Sequence, residues 1–144
     1  QFFQFITISP PSTLDFFTFY SITDAFNAWI SKKSSGHMCF EQRGKCHSES
    51  GKGFHAHYLV KKIAKKGYIL QFFDRLYKGE RSKFKGLLPS SSVQVDERPP
   101  DHWQRTYDYM LGVKEDPSKQ LSIEQNILWR ESLKLDPIYE IKHI

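Results

Sequence analysis

Residues 54–60 (FHAHYLV) limit what this chain can fold into more than any other stretch. Their apolar, β-branched and aromatic side chains are typical of a buried strand. Because side chains alternate between the two faces of a strand, His55 and His57 point to one face, while Ala56 and Tyr58 point to the other. The two imidazoles then lie roughly 6–7 Å apart along the strand, close enough to reach one metal ion. The run therefore predicts a strand that buries one side and presents two candidate metal ligands on the other. The plain alternative is two unrelated histidines on a solvated face.

Length and composition predict one domain over residues 1–144. The chain has 12 Phe, 7 Tyr and 3 Trp to fill a core, and its net charge of +5 suits a polyanionic partner, although many unrelated proteins share that balance. Cys39 and Cys46 form no CxxC pair, which argues against a disulfide scaffold and for a reducing compartment. No apolar run approaches the roughly 20 residues of a membrane helix. Because the first residue is Gln1 and not Met, we expect a piece of a longer protein.

The hydrophobic pattern predicts an α+β fold, with a central antiparallel sheet of four to five strands and flanking helices. Strands are predicted over residues 2–9, 37–43, 54–62 and 91–97. Helices are predicted over residues 13–32, with a break near 21–23, over 68–77 with an extension to 83, over 102–113, and from 122 to about 135. The second and third strands are close in sequence, so an antiparallel hairpin is their simplest pairing. Helices would cover one face of the sheet and leave the other partly open.

A third metal ligand is expected, because a catalytic divalent site usually has three protein ligands and an open position. Glu41 is the best candidate, since it lies on the strand predicted to pair beside His55 and His57. A carboxylate with two imidazoles suits Mg²⁺, Mn²⁺ or Zn²⁺. The alternative ligands are His37, His47 and Glu49, of which the last two fall in a polar loop.

Two tyrosines in the predicted helix 102–113 are candidate nucleophiles. A phenol can attack covalently when a bound phosphate and a nearby cation polarise it, and Tyr109 with Lys114 offers such a pair. Tyr107 and Tyr109 are two residues apart, so they face roughly opposite sides of a helix and only one can point at the metal. The commoner role of any single tyrosine is to pack in the core.

In combination, these residues resemble the HUH endonucleases, the nicking domains of replication initiators (Rep proteins) of rolling-circle plasmids and single-stranded DNA viruses. Residues 40–42 (FEQ) followed by 53–60 (GFHAHYLV) are most similar to the parvovirus nonstructural initiator domain. Residues 5–9 (FITIS) resemble the first motif of the circular single-stranded DNA virus Reps, and residues 109–111 (YML) with Lys114 resemble the tyrosine motif. The lysine usually follows the tyrosine more closely in that family than it does here, which leaves Tyr107 as a reserve nucleophile.

The resemblance implies a ferredoxin- or RRM-like sheet and a metal-dependent, site-specific endonuclease that nicks and rejoins single-stranded DNA. Glu41, His55 and His57 would hold Mn²⁺ or Mg²⁺. Tyr109 would form a 5′-phosphotyrosine with the DNA, and Lys114 would neutralise charge that develops at the phenol. Such an initiator would start rolling-circle or rolling-hairpin replication in the host nucleus, if it serves a virus of a eukaryote, or otherwise inside the cell.

The implied partners are single-stranded DNA and origin duplex DNA, with no membrane and with oligomers formed through domains outside this piece. A set of basic residues is expected to contact DNA phosphates, namely Lys61, Lys62, Lys65, Lys66, Arg81, Lys83 and Lys85. The alternative is that these residues form an ordinary solvated surface. An HUH single-tyrosine transposase would use the same residues. Conjugative relaxases usually need a third histidine, which the strand lacks. A non-catalytic DNA- or RNA-binding module is the alternative from another class.

Overall fold

The computed structural model describes residues 1–62, 65–113 and 116–144 of the chain. Five strands form its centre: β1 (Phe3–Ile8), β2 (Gly36–Glu41), β3 (His55–Lys61), β4 (Val93–Arg98) and β5 (Tyr139–Ile141). Every strand pairing is antiparallel, and the order across the sheet is β4-β1-β3-β2-β5. Four helices accompany the sheet: α1 (Phe16–Ser31), α2 (Lys66–Lys78), α3 (Trp103–Met110) and α4 (Gln120–Leu133). The predicted α+β fold with a central antiparallel sheet is confirmed.

The predicted elements are present, with ends that differ by a few residues. The antiparallel pairing of β2 with β3 is confirmed. The break predicted near residues 21–23 was wrong, because α1 continues through this segment and the Thr23 hydroxyl donates to the Tyr20 carbonyl of the same helix. The helix begins after Asp15, whose carboxylate accepts a hydrogen bond of 2.7 Å from the Thr18 backbone N–H. That bond lowers the pKa of the Asp15 carboxyl, and it satisfies one of the first free N–H groups of α1.

One face of the sheet packs against α1 and α2 and carries the main core. The side chains that β3 sends to this face are Ala56, Tyr58 and Val60, as the alternation predicts, and all three are fully buried. Burial raises the pKa of the Tyr58 phenol well above its ordinary value. Its hydroxyl donates a 2.6 Å hydrogen bond to the Asn27 side chain of α1, so the buried polar group is satisfied.

The other face is partly covered by α3. A second, smaller cluster of buried side chains lies between this helix and the sheet, formed by Phe3, Phe5, Cys39, Leu59 and Met110. A cleft lies on this face at the end where β2 finishes and β3 begins, and residues of both strands, of α3 and of α4 line it. None of the helices in the described ranges combines the length and the apolar character that crossing a bilayer requires.

Candidate metal centre

The pairing of β2 with β3 brings the three predicted ligands together. Glu41 is the register partner of His55, and His57 lies two residues further along β3. The alternation of side chains turns all three toward the face that carries α3. They are nearly inaccessible to solvent, with exposed fractions of 3% for Glu41, 4% for His55 and 6% for His57. The hairpin predicted from sequence therefore builds the cluster that the two histidines indicated.

The ligand atoms converge on one point. The Glu41 carboxylate oxygen Oε1 lies 3.4 Å from His55 Nε2 and 3.5 Å from His57 Nε2. One ligand atom from each residue falls within 4.8 Å of the other two. Buried carboxylate and imidazole groups need a charge or a hydrogen-bond partner to offset their desolvation. A divalent cation bound by all three provides such a charge, so the residues fit a metal ion.

Hydrogen bonds on the far side of each ring hold the two imidazoles. His55 Nδ1 lies 2.9 Å from the Gly53 carbonyl oxygen, and His57 Nδ1 lies 3.0 Å from the Thr7 hydroxyl oxygen. The Phe5 ring stacks on the His57 ring, with centroids 5.0 Å apart and planes inclined by 22°. Both rings are therefore fixed with Nε2, and not Nδ1, toward Glu41.

The alternative ligands from sequence lie apart from this cluster. His37 stands four residues before Glu41 on β2, and its ring contacts the Tyr107 ring at 5.0 Å. His47 and Glu49 belong to a short 3₁₀ turn in the connection from β2 to β3. The Glu49 carboxylate accepts a hydrogen bond of 3.1 Å from the Lys45 backbone, which lowers the pKa of the Glu49 carboxyl.

The two candidate nucleophiles on α3 point in different directions, as their spacing predicts. Tyr109 lines the cleft together with the three ligands, and its ring centroid lies 6.2 Å from that of His57. Tyr107 packs at the edge of the smaller core and contacts His37. Of the two candidates, Tyr109 is therefore the one that shares the cleft with the candidate metal ligands.

A lysine that sequence reasoning missed accompanies Tyr109. Lys119 Nζ donates a 3.3 Å hydrogen bond to the Tyr109 phenol oxygen and lies 5.5 Å from the centre of its ring. Lys114, the lysine predicted for this role, lies outside the described residues. Just before Lys119, the Asp116 carboxylate accepts a hydrogen bond from the Ser118 backbone and caps a short 3₁₀ turn. The Asp-Pro-Ser sequence was an available signal for this turn, but not for the contact of Lys119 with Tyr109.

The cleft has a volume of about 320 Å³, and its rim is basic. Three cationic side chains line it around the buried ligands, namely Arg43, Lys45 and Lys119. Arg43 is held by a hydrogen bond of 3.0 Å to the Gly53 carbonyl. Several cations in the same cleft as a candidate metal site suit an anionic ligand such as a phosphodiester. Arg43 and Lys45 were not among the predicted phosphate contacts.

The predicted phosphate contacts fall into two groups, and neither lies in the cleft. Lys61, Lys62, Lys65 and Lys66 are exposed residues at the far end of β3 and the start of α2. Lys61 lies six residues further along β3 than His55, a distance of roughly 20 Å. Lys62 forms an ion pair of 3.0 Å with Glu97.

The second group lies in the connection between α2 and β4. Arg81, Lys83 and Lys85 are all exposed there. Lys85 pairs with Glu80 at 3.2 Å, and the Lys83 ammonium lies over the Phe84 ring at 5.2 Å. Neither group contributes a side chain to the lining of the cleft.

A buried glutamine next to Glu41 attaches α4 to the site. The Gln42 backbone N–H donates a 2.7 Å hydrogen bond to the Asn126 side chain, and Gln42 Nε2 donates to the Gly44 and Ser122 carbonyls. Its side-chain oxygen accepts a 2.7 Å hydrogen bond from the Gly44 backbone N–H. Lys119 is the residue just before α4, the helix that this network attaches to Gln42.

Comparison of the chain with protein-family models, with curated proteins and with solved structures finds no match.

Proposed function

We propose that this chain is a metal-dependent endonuclease that nicks and rejoins single-stranded DNA through a covalent tyrosine intermediate. The observation that carries the proposal is one cleft in which two imidazole Nε2 atoms and the Glu41 carboxylate converge beside the Tyr109 phenol, under a basic rim. The resemblance to HUH replication initiators supports the same reading. An initiator of this kind starts rolling-circle or rolling-hairpin replication at an origin.

Glu41, His55 and His57 are the residues that would hold the metal, and their donor set fits Mn²⁺ or Mg²⁺. A divalent ion bound there supplies positive charge next to the scissile phosphate. Arg43 and Lys45 would bind the flanking phosphates from the rim, because both side chains line the cleft above the buried cluster.

Tyr109 performs the covalent step. Its phenol oxygen attacks the phosphorus in line, a bond forms between that oxygen and phosphorus, and the bond from phosphorus to the 3′ oxygen breaks. The phenol loses its proton to solvent, and the released 3′ oxygen takes one up, so the products are a 5′-phosphotyrosine and a free 3′-hydroxyl. Lys119, which donates to the phenol oxygen, stabilises negative charge there during the attack and during the reverse joining reaction.

The proposed partners are single-stranded DNA in the cleft and origin duplex DNA on the surface. The two separate basic groups, one at the far end of β3 and one before β4, would contact duplex phosphates outside the cleft. The protein would act beside replicating DNA, in the host nucleus for a virus of a eukaryote and otherwise inside the cell.

A nicking assay tests this function. The parent chain, Tyr109→Phe and the matched control Tyr107→Phe are incubated with Mn²⁺ and end-labelled single-stranded DNA from a library rich in hairpins. We expect the parent and Tyr107→Phe to leave protein joined to the 5′ end of the cleaved strand, because Tyr109 lines the cleft and Tyr107 does not. Tyr109→Phe should form no adduct.

Two results would contradict the proposal. An adduct that persists in Tyr109→Phe and disappears in Tyr107→Phe would move the nucleophile to the other tyrosine. DNA binding by the parent without cleavage anywhere in the library, with Mn²⁺ present, would leave a non-catalytic nucleic-acid-binding module.

A further inference from the structure

We propose that Thr7 is a positioning residue for the metal centre, whose hydroxyl holds His57 in the form that binds metal through Nε2. This inference rests on the metal centre of the proposed function and adds a residue from a third strand to it. Thr7 lies on β1, is the register partner of His57 on β3, and its hydroxyl oxygen is 3.0 Å from His57 Nδ1.

The backbone fixes this contact. Six residue pairs join β1 to β3, and Thr7 lies near one end of that ladder. Two residues earlier, Phe5 stacks on the His57 ring and so restricts rotation of the ring about its long axis. Thr7 therefore contacts the edge of the His57 ring, and Phe5 contacts its face. With the ring held in this way, Nε2 is directed at Glu41 Oε1, 3.5 Å away.

The chemistry of imidazole makes the hydroxyl important. A neutral histidine binds a metal with the nitrogen that carries no proton, so Nδ1 must carry the proton when Nε2 is the ligand. A hydrogen-bond acceptor beside Nδ1 stabilises that form and raises the affinity for the metal. The Thr7 oxygen stands in the acceptor position for His57, as the Gly53 carbonyl does for His55.

The two histidines have acceptors of different kinds. A carbonyl oxygen can only accept, so Gly53 favours the form of His55 with its proton on Nδ1. The Thr7 hydroxyl oxygen accepts from Nδ1 in the form of His57 that binds metal through Nε2. The acceptor of His57 is therefore a side chain that substitution can remove, whereas the acceptor of His55 is a backbone atom.

The experiment compares Thr7→Val, which keeps the shape of the side chain and removes the hydroxyl, with Thr7→Ser, which keeps the hydroxyl. Mn²⁺ affinity is measured by calorimetry, and the proton positions of the histidines are read from long-range ¹⁵N–¹H spectra with Mg²⁺ present. In the parent with Mg²⁺, both His55 and His57 should show the Nδ1–H form. Thr7→Val should bind Mn²⁺ about 10- to 100-fold more weakly, and Thr7→Ser should stay close to the parent.

The outcomes separate this inference from the proposed function. A folded Thr7→Val with parental Mn²⁺ affinity overturns the role of Thr7, as does a folded Thr7→Ser that is as weak as Thr7→Val. A parent His57 that carries its proton on Nε2 with Mg²⁺ present overturns the acceptor role of the Thr7 hydroxyl. A parent chain that binds no Mn²⁺ overturns both the inference and the metal centre. Absence of nicking alongside normal metal binding contradicts only the proposed function.

Discussion

Lys119 lies ten residues beyond Tyr109 in the sequence but next to it in the fold. Its ammonium group lies beside the Tyr109 phenol, whose oxygen would carry negative charge in the proposed attack on phosphorus. A cation already in place at that oxygen costs no reorganisation during the reaction and therefore acts mainly on the rate. The metal ligands lie elsewhere in the cleft, so the two contributions can be measured separately.

Lys119→Gln should lower the single-turnover rate of DNA cleavage about 10- to 100-fold, because the phenol oxygen loses a cationic partner while the metal ligands stay in place. Rapid-quench cleavage with saturating Mn²⁺ measures the rate, and calorimetry checks that Mn²⁺ affinity is unchanged. Lys142→Gln is the matched control, since that lysine is exposed near Glu140 on β5. A parental cleavage rate in Lys119→Gln would show that the hydrogen bond does not contribute to the reaction.

Hydrogen bonds between the end of β2 and α4 hold these two elements together. Gln42 follows Glu41 directly, and its polar atoms bind the backbone and the side chain of neighbouring elements while it is almost fully buried. Arg130 of the same helix donates a 3.0 Å hydrogen bond to the Phe40 carbonyl. The helix is thus attached to the strand on both sides of the metal ligand.

Asn126→Ala should reduce the free energy of unfolding by about 1–3 kcal/mol, because the buried Gln42 backbone N–H would lose its acceptor. Urea denaturation followed by circular dichroism measures the change. Glu124→Ala, at an exposed position of the same helix, should change stability by less than about 0.5 kcal/mol. If both variants were equally stable, the hydrogen bond from Gln42 would not anchor α4.

In the molecule as a whole, the two faces of the sheet carry different kinds of side chains. The face against α1 and α2 is apolar and carries the main core, whereas the face against α3 combines a small core with the polar cleft at one end. This division follows from side-chain alternation in β3, where Ala56 is buried in the main core between the two histidines of the sequence. The fold class and the three candidate ligands could be predicted for this reason, since strand alternation and hairpin pairing are local properties.

The features that sequence did not reveal depend on contacts between distant segments. Lys119 is ten residues beyond Tyr109, and Asn126 is 84 residues beyond Gln42, so no helical or strand spacing connects either pair. The three residues of β5 are too few to show an alternating pattern, and the strand is defined by its pairing with β2. Thr7 reads as an ordinary strand residue until the register of β1 on β3 places it beside His57.

The proposal that Glu41, His55 and His57 bind a metal ion is tested most directly with a crystal soaked in Mn²⁺. An anomalous difference map calculated from data collected near the manganese absorption edge locates the ion independently of any activity. We predict one strong peak bounded by Glu41 Oε1, His55 Nε2 and His57 Nε2, which is lost in Glu41→Gln crystals soaked in the same way. A map with no peak between these atoms, in crystals that bind Mn²⁺ elsewhere, would contradict the claim.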